Sequence, residues 1–165
     1  LGLMMAFDMG GPVNKVAYTF AVTGLAGVTA ASGDTRLVIM AIVMAAGMTP
    51  PLGLALATVL RKSAFSESEQ ENGKAAWLLG ASFISEGAIP FAAADPVRVI
   101  PSIMIGSGVT GVLVALFGNE LRAPHGGIFV FPLVSNWFTY VLALAIGTVV
   151  TALLVLVAKG IGNKN

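Results

Sequence analysis

Long apolar blocks fill this chain, and its charged residues mark where they stop. A first block runs from about Pro12 to Ala31, with Asp8 ahead of it, Asn14 and Lys15 near its start, and Asp34 and Arg36 closing it. A second runs from Leu37 to Leu60, between Arg36 and Arg61. As a helix it would measure about 36 Å, enough to cross a hydrocarbon core of about 30 Å. Gly47, Pro50 and Pro51 lie near its middle. Proline there removes a backbone hydrogen bond and is expected to break or kink the helix. Arg61–Lys74 is the one long polar stretch and is expected to form a solvated loop. A third block, Ala75–Val97, is interrupted by Ser85, Glu86, Gly87 and Pro90. A fourth, Val99–Phe117, carries Gly106, Gly108 and Gly111, which allow close helix packing. A short piece, Ala123–Ser135, holds Pro124, His125, Gly126, Gly127 and Pro132. The last block, Trp137–Ala158, is the cleanest span; Trp137 and Tyr140 suit a membrane interface, and Lys159 and Lys164 follow it.

Two of these pieces are expected to turn back rather than cross. Ala123–Ser135 would reach only about 20 Å as a helix, so it reads as a re-entrant loop. Such backbone survives at membrane depth only inside protein or beside a water-filled cavity. The third block is settled by charge. Arg61, Lys62 and Lys74 place their loop in the cytoplasm by the positive-inside rule. If the third block crossed, Lys159 and Lys164 would lie outside. If it is a hairpin, Arg98 and both lysines lie inside, which satisfies the rule throughout. Glu86 stands midway between Lys74 and Arg98. A tip at Ser85–Gly87 puts each arm at about 17 Å, half the core thickness. The two re-entrant pieces then approach from opposite faces and meet near the level of Pro50 and Pro51, the arrangement in which transporters hold substrates. The expected architecture is an all-α membrane protein with about four transmembrane helices and two re-entrant hairpins.

Composition explains why lipid is the solvent. Of the 165 residues 56% are hydrophobic and only 10% charged, against about 25% charged in a soluble domain. Twenty glycines fit close helix contacts. The net charge of +1 provides no field for nucleic acid. The absence of cysteine removes disulfides, thiolate metal sites and cysteine nucleophiles. The chain starts in apolar sequence without the form of a signal peptide, and reads as an excerpt whose partner half lies upstream.

Glu86 is the leading functional candidate. A carboxylate at the centre of a span costs roughly 2.5–3.5 kcal/mol, so it needs a compensating role. It can accept hydrogen bonds from sugar hydroxyls in a low-dielectric pocket, with Ser85 and Gly87 beside it; the structural alternative is a buried ion pair with Lys15 or Arg98. His125, the only histidine, either donates to a sugar oxygen or caps its own loop. A lone histidine with no cysteine suggests no metal site, and no cofactor is implied. Asn14 follows a backbone break at Gly10-Gly11-Pro12 and could meet sugar hydroxyls; Lys15 is expected to snorkel to the interface or pair with Asp8. Asp95 and Arg98 read as a turn with an interface charge, with a phosphate- or partner-facing role for Arg98 as the other option. The run of Glu67, Glu69 and Glu71 reads as a solvated face. On chemistry alone, the residues point to a transporter core, with a proton-coupled secondary transporter using Glu86 or His125 as one reading.

The motifs themselves resemble a known family. Ile84-Ser85-Glu86-Gly87-Ala88-Ile89-Pro90-Phe91, continuing through Ala94-Asp95-Pro96 to Arg98-Val99-Ile100-Pro101-Ser102, resembles the signature of the fructose-type enzyme IIC of the bacterial phosphotransferase system. Ala123-Pro124-His125-Gly126-Gly127-Ile128-Phe129 resembles a second signature, Asp8-Met9-Gly10-Gly11-Pro12-Val13-Asn14-Lys15 a third, and Thr49-Pro50-Pro51-Leu52-Gly53 a fourth, in the family's order. The resemblance implies a multi-pass protein of the bacterial cytoplasmic membrane, with loop 61–74 and the C-terminus in the cytoplasm. It implies a sugar substrate, usually fructose, phosphorylated during release by a fused or separate IIB domain. It places a sugar-binding glutamate in the first hairpin, matching Glu86. It implies a homodimer formed through an N-terminal scaffold half that this chain lacks. The phosphoryl group comes from IIB, so residues 1–165 position the sugar, and none of them becomes phosphorylated.

Overall fold

The computed structural model describes residues 1–28 and 33–161. Its helices are α1 Gly2–Phe7, α2 Pro12–Leu25, α3 Thr35–Leu60, α4 Glu67–Ala81, α5 Ile89–Ala94, α6 Pro96–Leu116 and α7 Trp137–Ile161. Short 3-10 turns occupy Lys62–Ala64, Ser85–Ala88 and Ile128–Leu133. No strand occurs among the described residues, apart from an isolated bridge between Leu121 and Val134. The protein is thus all-α and membrane-type.

Three helices, α3, α6 and α7, are long and apolar enough to cross a membrane. They correspond to the second, fourth and fifth apolar blocks. The first block differs: α2 has 14 residues, about 21 Å, which is short of a span. The end of that block, 29–32, lies outside the described residues, as does Lys164. Burial ranks the three spans. The other elements enclose 78% of the most apolar window of α3, against 44% for α6 and 39% for α7, so α3 is the central post.

Two apolar clusters stack along α3. One joins Met40, Ala41 and Met44 to Ala17 and Ala21 of α2, Val114 of α6 and Tyr140 of α7. The other joins Leu54 and Ala57 to Phe91, Val99 and Ile103, and to Ala152 and Val155 of α7. α6 therefore runs antiparallel to α3 and α7 runs parallel to it. Small residues let α6 and α7 touch: a methyl on Gly106 would lie 2.9 Å from the Gly147 carbonyl oxygen, and one on Gly147 2.9 Å from that of Gly106.

Of the break or kink expected from sequence, the break does not occur: Pro50 and Pro51 lie inside a helix that runs unbroken from Thr35 to Leu60. Proline orphans the carbonyl four residues back, here those of Ala46 and Gly47. Both find hydroxyl donors on other elements: Ser107 Oγ donates to Ala46 O at 3.0 Å and Ser85 Oγ to Gly47 O at 2.8 Å. Neighbouring elements can re-satisfy such carbonyls, which is why membrane helices tolerate proline.

The expected solvated loop 61–74 is also corrected. Only its first part lies outside an α-helix; Ser66 starts α4 with a full capping box, donating through its backbone N–H to Glu69 and accepting the Glu69 N–H on its side chain. Glu69 is not on a solvated face. It is buried and pairs with Lys159 of α7 at 2.9 Å, while the Lys159 ammonium sits 4.6 Å from the centre of the Phe65 ring. An isolated capping signal, Ser66 with Glu69 three residues on, was hidden inside a run of charges.

Candidate functional site

The third apolar block turns back, as the charge argument requires. α4 packs against the second half of α3, with Gly73 against Thr58 and Gly80 against Leu52. It stops at Ala81, the chain reverses through Phe83 in the left-handed region (φ 63°), and α5 returns it to the end where α3 finished. α6 starts from that same end, and so α7 also ends there: Lys159 reaches Glu69, and Gly160 lies beside the Arg61 guanidinium.

The second re-entrant piece comes from the other end. It leaves α6 near Leu121, whose N–H donates to Leu37 O at the start of α3, and turns at Pro124–Gly127. Gly127 there abuts the backbone of Ala81 and Ser82, Gly126 lies against the Phe83 ring, and the His125 ring is 6.0 Å from Phe83. The two re-entrant turns thus meet at mid-height. Phe83 also reaches Gly47 on α3, and Gly87 packs on Pro51 and Leu79, so the contact lies at the level of the two prolines.

A third turn joins them. Between α1 and α2 the chain passes through Met9 (φ 46°) and Gly10 (φ 100°). Asp8 accepts the N–H of Val13 at 2.7 Å and of Asn14 at 2.9 Å, which holds the start of α2. Glycine suits position 10 because its backbone is left-handed, and a methyl there would lie 2.5 Å from Glu86 Oε1 and push that carboxylate aside.

The sequence candidates divide accordingly. Glu86 sits at the hairpin tip, exposed, against Gly10, and it makes no hydrogen bond or ion pair among the described residues. The ion pair with Lys15 or Arg98 is therefore absent. Ser85 is buried, its hydroxyl committed to Gly47 O, and Gly87 is a packing position. Asn14 is buried behind the Gly10 turn, where its amide donates to Met5 O at 2.6 Å. His125 is at the opposing turn, where its Nδ1 engages the Gly126 carbonyl. Asp95 and Arg98 pair with each other at 2.9 Å on the return arm, beyond Phe91, whose ring meets Phe65 of the loop end. They are not part of the tip. Lys15 is exposed, and Asp8 serves as the cap of α2 rather than as its ion-pair partner.

Sequence reasoning named Asp8 but not its role as the cap of α2, and it missed Phe83 and Tyr18, whose hydroxyl donates to Pro124 O at 2.9 Å and ties α2 to the second turn. One signal was available. Adjacent prolines in a buried helix orphan two carbonyls, and each orphan calls for a donor on another element. The resulting arrangement is a free carboxylate where three backbone turns converge, bordered by hydroxyl and amide groups already satisfied by the protein. Such a carboxylate has its acceptor capacity available for hydroxyls of a polar solute.

The chain has named relatives along nearly its whole length. No family model matches the chain, and no solved structure matches it. Among curated proteins, a "PTS system fructose-specific EIIB'BC component" of Rhodobacter capsulatus is 57% identical over 162 residues, 96% of this chain and 27% of that protein. A "PTS system fructose-specific EIIC component" of Haloferax volcanii is 49% identical over 160 residues, 96% of this chain and 40% of its own length. A "Fructose permease IIC component" of Bacillus amyloliquefaciens is 47% identical over 159 residues, 96% and 50% respectively. The chain thus spans between about a quarter and a half of the length of these relatives. Two of them are named for the IIC component alone, so the shared region is the IIC part: the chain matches the EIIC part of relatives named as fructose-specific phosphotransferase-system components.

Proposed function

We propose that this chain is the sugar-binding part of a permease that moves fructose, or a close relative, across the bacterial cytoplasmic membrane while a IIB domain phosphorylates it. The observation that carries this reading is the unpaired Glu86 carboxylate at the meeting point of the two re-entrant turns. The names of the relatives support fructose as substrate, and the fused EIIB'BC relative supports IIB as partner. In this reading Glu86 accepts hydrogen bonds from sugar hydroxyls and holds one hydroxyl for attack on the phosphoryl group. That is catalysis by orientation, and the chain contributes to a phosphotransferase without carrying the phosphorylated residue. His125 and Asn14 support the walls of the site through backbone contacts. A homodimer forms through parts of the parent protein other than residues 1–165, and residues 61–74 face the cytoplasm.

The test is phosphoenolpyruvate-dependent fructose phosphorylation in membrane vesicles holding the full-length parent or its Glu86→Gln variant at equal insertion. Loss of most activity in the variant supports the reading. Full activity in the variant removes Glu86 from the site. A parent that takes up fructose unmodified, driven by a proton gradient, replaces group translocation with secondary transport.

A further inference from the structure

The two hydroxyls that answer the prolines of α3 do different jobs. Ser107 belongs to α6, a full-length span packed along α3 on a broad face, and its bond to Ala46 O is one contact among many. Ser85 belongs to the hairpin tip, a single 3-10 turn between the ends of α4 and α5. It is buried, and its Oγ lies 2.8 Å from the Gly47 carbonyl. Glu86 is the next residue and itself has no polar partner among the described residues. The carboxylate therefore cannot locate itself, and its height along α3 is set by what holds its neighbours. Two non-polar supports flank it, Gly87 on Pro51 and Phe83 beside Gly47, but neither is directional.

We infer that Ser85 is a positioning residue: its bond to the Gly47 carbonyl, left free by Pro51, pins the hairpin tip and thereby sets where the Glu86 carboxylate stands. Pro51 has an active part in this. An ordinary residue at 51 would offer its own N–H to Gly47 O and compete for the acceptor. The proline keeps that carbonyl available for the hairpin. The inference rests on the reading that Glu86 meets the sugar, and it assigns Ser85 away from the sugar itself.

The experiment uses the full-length parent on a cysteine-free background, since residues 1–165 contain no cysteine of their own. A spin label at an Ile84→Cys substitution reports motion of the tip, because Ile84 is 39% exposed and adjoins Ser85. KM for fructose is measured on the same inserted protein without the label. Ser85→Ala and Pro51→Ala are each expected to raise label mobility and to raise KM about five- to tenfold, the scale of one net hydrogen bond. Ser85→Thr keeps the hydroxyl and restores both. Ser107→Ala removes the same chemistry one carbonyl away, and it leaves mobility and KM unchanged.

Three results would overturn the inference. One is unchanged mobility in Ser85→Ala. Another is a Pro51→Ala change that cures the Ser85→Ala defect, because the hydroxyl would then serve only to satisfy a carbonyl. The third is a tip loosened equally by Ser107→Ala. The sugar reading fails separately, through an unchanged KM in Glu86→Gln; label mobility still decides whether the tether exists.

Discussion

At the scale of single residues, the site is defined more by what fits beside Glu86 than by what bonds to it. Gly10 shows this most sharply. Its φ of 100° strains any side chain, and a methyl there would come within 2.5 Å of Glu86 Oε1, the free end of an exposed side chain, which would swing aside. Gly27 offers a control, with a φ of 82° and open space around it. Gly27→Ala is expected to lose about 1–2 kcal/mol from backbone strain alone and to bind fructose normally. Gly10→Ala is expected to displace the carboxylate as well, and to lower fructose affinity at least tenfold in inserted protein. Equilibrium binding of labelled fructose to the two variants separates strain from displacement; equal affinities would remove Gly10 from the site. The same scale explains why Ser85 and Asn14 were legible as residues of the region but not in their roles. Their side chains bond backbone carbonyls at 2.8 Å and 2.6 Å, and only the folded chain reveals which carbonyl each side chain reaches.

At the scale of elements, ion pairs at the loop end differ in worth according to burial. Lys159 and Glu69 have side chains only 11% and 8% exposed, so removing one partner strands a buried charge, at a cost of about 3–5 kcal/mol. Lys159→Met is therefore expected to loosen α7 from α4 and to lower the unfolding midpoint in detergent. Lys74 and Glu71 are 73% and 70% exposed, and Glu71→Gln is expected to change stability by less than about 1 kcal/mol. Comparable shifts in the two variants would contradict the burial argument. The start of α3 gives a pH prediction. The Arg36 guanidinium, and then its backbone N–H, hold the Asp34 carboxyl at about 2, down from 3.8. A lowered value means the cap is fully effective above 3.8 and fades as pH falls through about 2. Acidification from about pH 7 to 5 should leave the helix start intact, as amide exchange at Leu37 would report.

At the scale of the whole molecule, the hairpin decides on which side each end lies. α3 and α7 finish at one end of the bundle and α6 begins there, because α4 and α5 go in and come back rather than crossing. Single cysteines placed at Ser63 and Gly160 of the parent should react with an impermeant thiol reagent from the same side of the membrane. One placed at Asn136, ahead of α7, should react from the other. Labelling of 63 and 160 from opposite sides would mean that the third block crosses.

Several features were settled by the order of residues alone. Lipid as solvent follows from how little charge the chain carries. The spans of α3, α6 and α7 follow from the length of their apolar runs. The turning back of two blocks follows from prolines, glycines and the placement of lysines and arginines, since a short or interrupted segment cannot cross and a basic loop resists translocation. Glu86 stood out because a carboxylate in such a run is costly. Tertiary structure decided the rest. It kept α3 continuous through two prolines by supplying hydroxyls from Ser85 and Ser107, and it turned Glu69 from a surface charge into half of a buried pair. It brought Gly10 to Glu86 and Phe83 to His125 across gaps of dozens of residues. Local pattern records what a segment can bury and where it must bend, but the partner of an orphaned carbonyl or a buried charge is chosen by elements that are distant in sequence, and only packing brings them within reach.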